Sequence, residues 1–253
     1  MSKVPRAACH SLPCGCPHVP ASLANIRMCM YVDRVAVELP APRRATQEER
    51  RERSRSALLE AAARGLSTYG YATLTLERVA SDAGYTRGAL YHQFSGKEDL
   101  ALAVVRWVEE TWSIEVGQSA EQEADPVAAL ITLARRHAVY CRRDIAGVLM
   151  TLRVEFAGRD HPVGRAIDEI IDGLTADCAA WIAAGRASGG IPAGPPLAET
   201  AVAYLSVVEA VAISLAGRVP HDTELIERAI RGVLGLPPGS DGTRTPSAAA
   251  AAT

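Results

Sequence analysis

Arg87, Tyr91, His92 and Lys97 lie within eleven residues of one another, with Thr75 and Thr86 just upstream. A guanidinium, a phenol, an imidazole, an ammonium and two hydroxyls form a set that donates hydrogen bonds to phosphate oxygens and to base edges. In this pattern Arg87 is the candidate for bidentate contact with guanine O6 and N7. Gly88 and Ala89 leave the backbone room to approach the bases or a thymine methyl. Thr75, Tyr91, His92 and Lys97 are candidates for phosphate oxygens. Packing of Tyr91 against the preceding helix is the competing structural role.

Other reactive groupings are weaker. His137, Cys141 and Asp144 fall within eight residues, but a His beside a Cys on one helix reads as packing or pocket lining more readily than as a nucleophile and its base. Cys9, His10, Cys14, Cys16, His18 and Cys29 contain a C-x4-C-x-C cluster with the ligand chemistry for zinc or copper. No second ligand pair follows at finger spacing, and no apolar core surrounds the cluster. The reading is therefore a disordered leader over residues 1–42, with Met28 and Met30 as alternative starts, and no metal or other cofactor. Cys141 and Cys178 are expected as buried thiols in a reducing compartment. The chain has no G-x-G-x-x-G after a strand, P-loop, H-E-x-x-H or G-x-S-x-G, which argues against an enzyme.

The elements that must carry Arg87 and its neighbours are legible in the same stretch, TLERVASDAGYTRGALYHQFSGKEDL, from Thr75 to Leu100. Thr75 caps a short helix whose Leu76, Val79, Ala80 and Ala83 recur at helical spacing. Gly84 supplies a positive-φ bend, and Thr86 caps a second helix on which Leu90 and Phe94 face inward. This is a helix-turn-helix. Upstream, a helix over about 47–67 buries Leu59, Ala62 and Leu66, and Tyr69-Gly70-Tyr71 ends it. Arg43, Arg44, Arg50, Arg51, Arg53 and Arg55 either form a solvated face paired with Glu48, Glu49 and Glu52 or a basic arm for a minor groove. Downstream, Ser95 is the expected N-cap of a fourth helix running past Trp107 and Trp112 towards Gly117. Helices follow at about 126–142, about 144–156 capped by Asp144, from Pro162 to the Gly189-Gly190 stop, 197–216 and 222–234. No internal repeat is evident, and a tail rich in Pro, Gly, Ser and Ala runs over 237–253.

Gly70-Tyr71, Leu74-Thr75-Leu76, Val79-Ala80, Ala83 through Phe94 and Lys97-Glu98-Asp99-Leu100 together resemble the N-terminal domain of TetR/AcrR-family transcriptional regulators over roughly residues 48–105. Three positions depart from the usual pattern. Leu74 stands where Thr is common, Arg78 where Asp is usual, and Tyr85 where Val or Ile is usual. The resemblance implies an all-α homodimer: a three-helix DNA-binding domain (43–105) and a larger effector-binding and dimerisation domain (106–236), about nine helices in all. It also implies that the fourth helix couples the two, and that the last two helices form a four-helix bundle across a two-fold axis.

Composition agrees. Of the 253 residues, 48% are hydrophobic but only 5% aromatic, and helix formers dominate. Residues 43–106 carry 11 Lys/Arg against 8 Asp/Glu, whereas 107–253 carry 12 against 19, a basic head on an acidic body. The stretch LAETAVAYLSVVEAVAISLAG is apolar nearly all round, so it either spans a membrane or is buried on two sides. Glu209 at its centre and its short length favour a soluble, cytoplasmic protein without a membrane partner. Its Leu205, Val208, Ala212 and Leu215, with Leu225, Ile226, Ala229, Ile230 and Val233 of the final helix, are the expected dimer interface. Trp107, Trp112, Arg136, His137, Tyr140, Arg153, Phe156 and Trp181 are the expected effector pocket. The expected function is a ligand-responsive regulator, most simply a repressor that binds a palindromic double-stranded operator as a homodimer and is released by a small organic effector. The alternatives are a DNA-binding regulator with no small effector and, remotely, a helical enzyme.

Overall fold

The computed structural model describes residues 46–239. The leader with its four cysteines, Arg43 and Arg44, and the tail beyond Gly239 lie outside the described residues. Within them the secondary structure is helical throughout. α1 spans Gln47–Thr73, α2 Leu76–Asp82, α3 Arg87–Tyr91 and α4 Lys97–Trp112. A π-helical turn (Ser113–Gly117) carries α4 directly into α5 (Gln118–Glu121). α6 (Pro126–Tyr140), α7 (Val148–Phe156), α8 (Pro162–Ala187), α9 (Leu197–Ser214) and α10 (His221–Val233) complete the chain. With α4, the π turn and α5 taken as one rod, the described residues form nine helical rods.

The ends of these helices follow from local chemistry. Thr46 caps α1 in a reciprocal box: its hydroxyl accepts from Glu49 N at 3.1 Å, and the Glu49 carboxylate accepts from Thr46 N at 2.7 Å. Asp125 caps α6 by accepting from Ala128 N at 3.1 Å. Pro126 and Pro162 occupy first-turn positions of α6 and α8, where a missing N–H costs nothing. Two expected caps are displaced. Gly96, not Ser95, is the N-cap of α4, and Asp99 reaches back to accept from Ser95 N at 2.9 Å. Asp144 does not cap α7, which starts from Gly147 after a run of turns.

Two apolar clusters organise the fold. The first joins Leu58, Leu66, Leu90, Phe94, Leu100 and Val104 of α1–α4 to Val148, Leu152 and Phe156 of α7 and to Val163 and Ile167 of α8. The helix-turn-helix thus shares its core with the body. The second cluster packs α6, α8, α9 and α10 around Leu130, Cys178, Ile182, Tyr204, Ile226 and Ile230. Tyr204 brings its hydroxyl into that core and donates it to Leu130 O at 2.6 Å. Asp222, wholly buried, is held by Arg142 in a fork of 2.8 and 3.0 Å, which ties α10 to the end of α6.

α9 is left largely uncovered by its own chain. It is long and apolar enough to cross a membrane, yet only 28% of it is buried within this chain, so one copy does not enclose it on two sides.

Candidate nucleic-acid interface and effector cavity

The head is a rigid mount for one exposed face. Thr75 Oγ1 accepts from Arg78 N at 3.3 Å and Thr86 Oγ1 from Ala89 N at 3.2 Å, which fixes the starts of α2 and α3 and leaves each hydroxyl's own proton free to donate. Between the helices Gly84 adopts φ 74°, a left-handed bend that a side chain would strain. Leu90 and Phe94 are buried, and Gln93 ties α3 to α1 through Arg51 O at 3.3 Å and Ser54 Oγ at 3.2 Å. Thr75, Thr86, Arg87, Gly88, Tyr91 and His92 are exposed, while Ala89 is half-buried. Tyr91 is therefore not packed on the preceding helix; it is 46% exposed. Its hydroxyl accepts from Arg87 Nη2 at 3.3 Å. Arg87 also pairs with Glu77 of α2 at 2.7 Å, so both of its reaching partners lie at the protein surface.

Lys97 is more committed than its position suggests. Its ammonium donates to Ala72 O at 3.0 Å and sits 4.6 Å from the centre of the Tyr71 ring. Burial lowers its pKa from the ordinary lysine value, with Glu155 opposing. The three departures from the family pattern also have places. Leu74 is buried and occupies the space beside Gly65, where a Cβ would come within 2.5 Å of its Cδ1. Arg78 stacks 4.0 Å over the Tyr69 ring and donates to its hydroxyl at 2.7 Å. Tyr85 packs against the head core.

The junction of head and body rests on Glu155 of α7. At Gly70 (φ 73°, ψ 178°) the backbone of α1 leaves the helical path and turns two N–H groups outward. The Glu155 carboxylate accepts both, from Tyr71 N at 2.5 Å and Ala72 N at 2.7 Å. Tyr71, Phe156 and His161 pack ring against ring beside it. The sequence carries no sign of this clamp, because the partners are backbone groups more than eighty residues away.

A cavity of about 430 Å³ lies in the body, lined from α4 through α9. Trp112, His137, Tyr140, Arg153 and Trp181 line it. Trp107, Arg136 and Phe156 do not: Trp107 and Phe156 pack into the head-side core, and Arg136 faces solvent. Apolar walls missed in the sequence come from Val108, Leu133, Leu149, Leu174 and Cys178. They stand at helical spacing with the named residues, but nothing in the sequence distinguishes a cavity-facing Leu from a core one. Leu205 and Val208, expected at a dimer interface, line the cavity as well.

The aromatic wall is internally satisfied. Trp112 Nε1 donates to His137 Nδ1 at 2.9 Å, and His137 Nε2 lies 3.4 Å from Cys141 Sγ. Burial pushes His137 down to about 4, so the imidazole is neutral. Burial also pushes the Cys141 and Cys178 thiols up to about 12. A neutral thiol beside a neutral imidazole that is already hydrogen-bonded is no nucleophile pair.

On α9 and α10, Val208, Ala212, Ile226 and Ile230 are buried inside the single chain and are unavailable to a second copy. That corrects four of the nine residues expected at the interface. Leu205, Leu215, Ala229 and Val233 are half-buried and Leu225 is 42% exposed, as are Val202 at 54% and Ile213 at 38%.

A helix-turn-helix head thus shares its core with a helical body that holds a cavity. Residues 58–104 match the family described as bacterial regulatory proteins, tetR family. The match is confined to the helix-turn-helix head. The A-factor receptor protein of Streptomyces griseus is 32% identical over 114 residues, 44% of this chain and 39% of that protein. The HTH-type transcriptional regulator TtgR of Pseudomonas putida is 36% identical over 88 residues, 34% of this chain and 41% of that protein. The chain thus spans about two-fifths of the length of the curated relatives it matches. Among solved structures, AibR in complex with isovaleryl coenzyme A and operator DNA superposes with a TM-score of 0.61 at 21% identity, covering 72% of this chain and 97% of that one. FadR from Bacillus subtilis in complex with stearoyl-CoA superposes with a TM-score of 0.59 at 15% identity, covering 71% and 97%. At these identities the likeness is one of fold. TtgR and the Bacillus subtilis FadR are both named as transcriptional regulators.

Proposed function

We propose that this protein is a ligand-responsive transcriptional regulator of the cytoplasm, a repressor that binds a palindromic operator as a homodimer and leaves it when a small organic effector fills the cavity. The observation that carries the reading is the single exposed face on α2 and α3, where Thr75, Thr86, Arg87, Gly88, Tyr91 and His92 stand together on two helices fixed from behind. In this reading Arg87 exchanges its Glu77 carboxylate for a base edge, and Ala89 lies against the groove floor. Thr75, Thr86, Tyr91 and His92 hold phosphates, and Lys97 supports the entry of α4. The name of the relative TtgR, an HTH-type transcriptional regulator, and the operator DNA in the AibR complex support the nucleic-acid partner.

The apolar surface left on α9 supports the dimer. A second copy laid against Leu215, Leu225, Ala229 and Val233, and over Val202, Leu205 and Ile213 at the cavity wall, would remove it from water. The cavity supports a small effector, since its volume falls in the range of drug-sized sites.

The test is selection from a random duplex pool. A two-fold symmetric consensus is expected, with affinity falling steeply as salt rises because phosphate contacts release counterions. Arg87→Ala should cost about 1–3 kcal/mol and relax preference at one operator position per half-site. A folded protein that enriches no sequence would sink the reading.

A further inference from the structure

The lining of the cavity is strongly one-sided in charge. Glu109 and Glu121 enter from the α4–α5 rod, Glu169, Asp172 and Asp177 from α8, and Glu209 from α9. Among the described residues Arg153 is the only Lys or Arg on the wall, and the imidazole of His137 is neutral. Most of the acids are exposed and act through a screened field. Glu209 acts at contact range, because its side chain is only 21% exposed while its one cationic partner, Arg153, stands 3.8 Å away and is 46% exposed. Burial raises the pKa of Glu209, and Arg153 only partly offsets that. The carboxylate is therefore only partly compensated, by one long ion pair to a half-exposed guanidinium. A second cation reaching it would relieve that cost.

The rest of the wall offers a cation aromatic faces, and offers an anion Arg153, the Trp181 indole and the Ser113 hydroxyl as donors. Trp112, Tyr140 and Trp181 present aromatic rings, on whose faces an organic cation is attracted by the quadrupole. The donors of Trp112, Tyr140, Thr175 and Ser206 are spent within the protein, on His137, Val108 O, Ile171 O and Val202 O.

From this arrangement we infer that the effector is a lipophilic organic cation, an aromatic or alkyl ammonium or similar onium ion, whose charge lies at Glu209 between the aromatic rings. A coenzyme A thioester, the ligand held by two of the structural neighbours, carries several phosphate charges toward a wall that is acidic here. The inference rests on the proposed effector-responsive reading of the same cavity.

Tetraphenylphosphonium and tetraphenylborate, ions of nearly equal shape and opposite charge, test it with the full-length protein. Binding is followed by quenching of Trp112 and Trp181 and by equilibrium dialysis, with isovaleryl coenzyme A as a third probe. The phosphonium should bind more tightly than the borate. Glu209→Gln should weaken it about tenfold or more, and Arg153→Gln, which frees the carboxylate, should tighten it. The second variant also covers the case in which the first fails to fold. Tighter binding of the borate or the thioester, weakened by Arg153→Gln, would overturn the cationic assignment and leave an effector cavity standing. So would phosphonium binding indifferent to Glu209→Gln. Binding of none of the three probes would overturn both.

Discussion

Replacing Glu155 by Gln tests how the body grips the head. The carboxylate takes two backbone N–H groups at 2.5 and 2.7 Å, where α1 leaves its helical path at Gly70. The amide keeps the shape but offers one oxygen where two were used, and its NH2 must face an N–H. One charge-assisted bond is lost and the other becomes neutral. Hydrogen bonds to charged groups are worth roughly 1.5–3 kcal/mol, and this site is only partly buried, so the expected cost is about 2 kcal/mol. For a chain of this size that lowers the melting midpoint by about 4–8 °C. Circular dichroism would read the midpoint, and amide hydrogen exchange would read Tyr71 and Ala72 individually. Both amides should exchange faster in the variant, while tetraphenylphosphonium affinity stays unchanged because Glu155 does not line the cavity. A midpoint within about 1 °C of wild type, with unchanged exchange at both amides, would refute the clamp.

Further outcomes follow from the same geometry. Gly70→Ala should cost about 2 kcal/mol by chemical denaturation, because its φ is 73° and a Cβ would come within 2.6 Å of Glu155 Oε2; the double variant with Glu155→Gln should be less than additive. Asp222→Asn should destabilise by about 3 kcal/mol, since it leaves Arg142 without the buried half of its fork. Arg142 holds Asp222 below the ordinary carboxylate value, so its contribution is complete above that value and is lost only as pH falls through the lower folded one. His137 titrates near 4 in the folded chain against an ordinary 6.5, so the unfolded chain takes up a proton first and stability should fall as pH drops from 6.5 towards 4. His137→Gln should flatten that limb of a pH–stability curve. Glu77→Gln should tighten operator binding in a fluorescence-anisotropy titration by releasing Arg87 from its 2.7 Å pair.

What could be read from the sequence was what is local. The caps Thr75 and Thr86, the bend at Gly84 and the inward Leu90 and Phe94 all act within a few residues, so the two helices of the turn are legible. The box at Thr46 and Glu49 was equally local and was overlooked. The cavity is legible by helix but not by face: on α4 Trp112 lines it while Trp107 packs toward the head, and on α7 Arg153 lines it while Phe156 packs toward the head. α9 gave no phase at all. A helix apolar on every side does not disclose which side turns inward, which is why Val208 and Ala212 were assigned to a partner they cannot reach. Glu155 and the Arg142–Asp222 fork depend on residues eighty or more positions apart. No spacing rule detects them.

The core shared by α1–α4 with α7 and α8 bears on how this molecule can be taken apart. Leu66, Leu90 and Phe94 rest in the same cluster as Val148, Leu152, Val163 and Ile167. A fragment ending near Arg106 would keep every exposed side chain of the α2–α3 face yet lose the floor beneath them. Such a piece should be molten on its own, and grafting it onto a foreign body would require α7 and the start of α8 to travel with it. In the intact chain the reading face and its support should therefore melt in one transition.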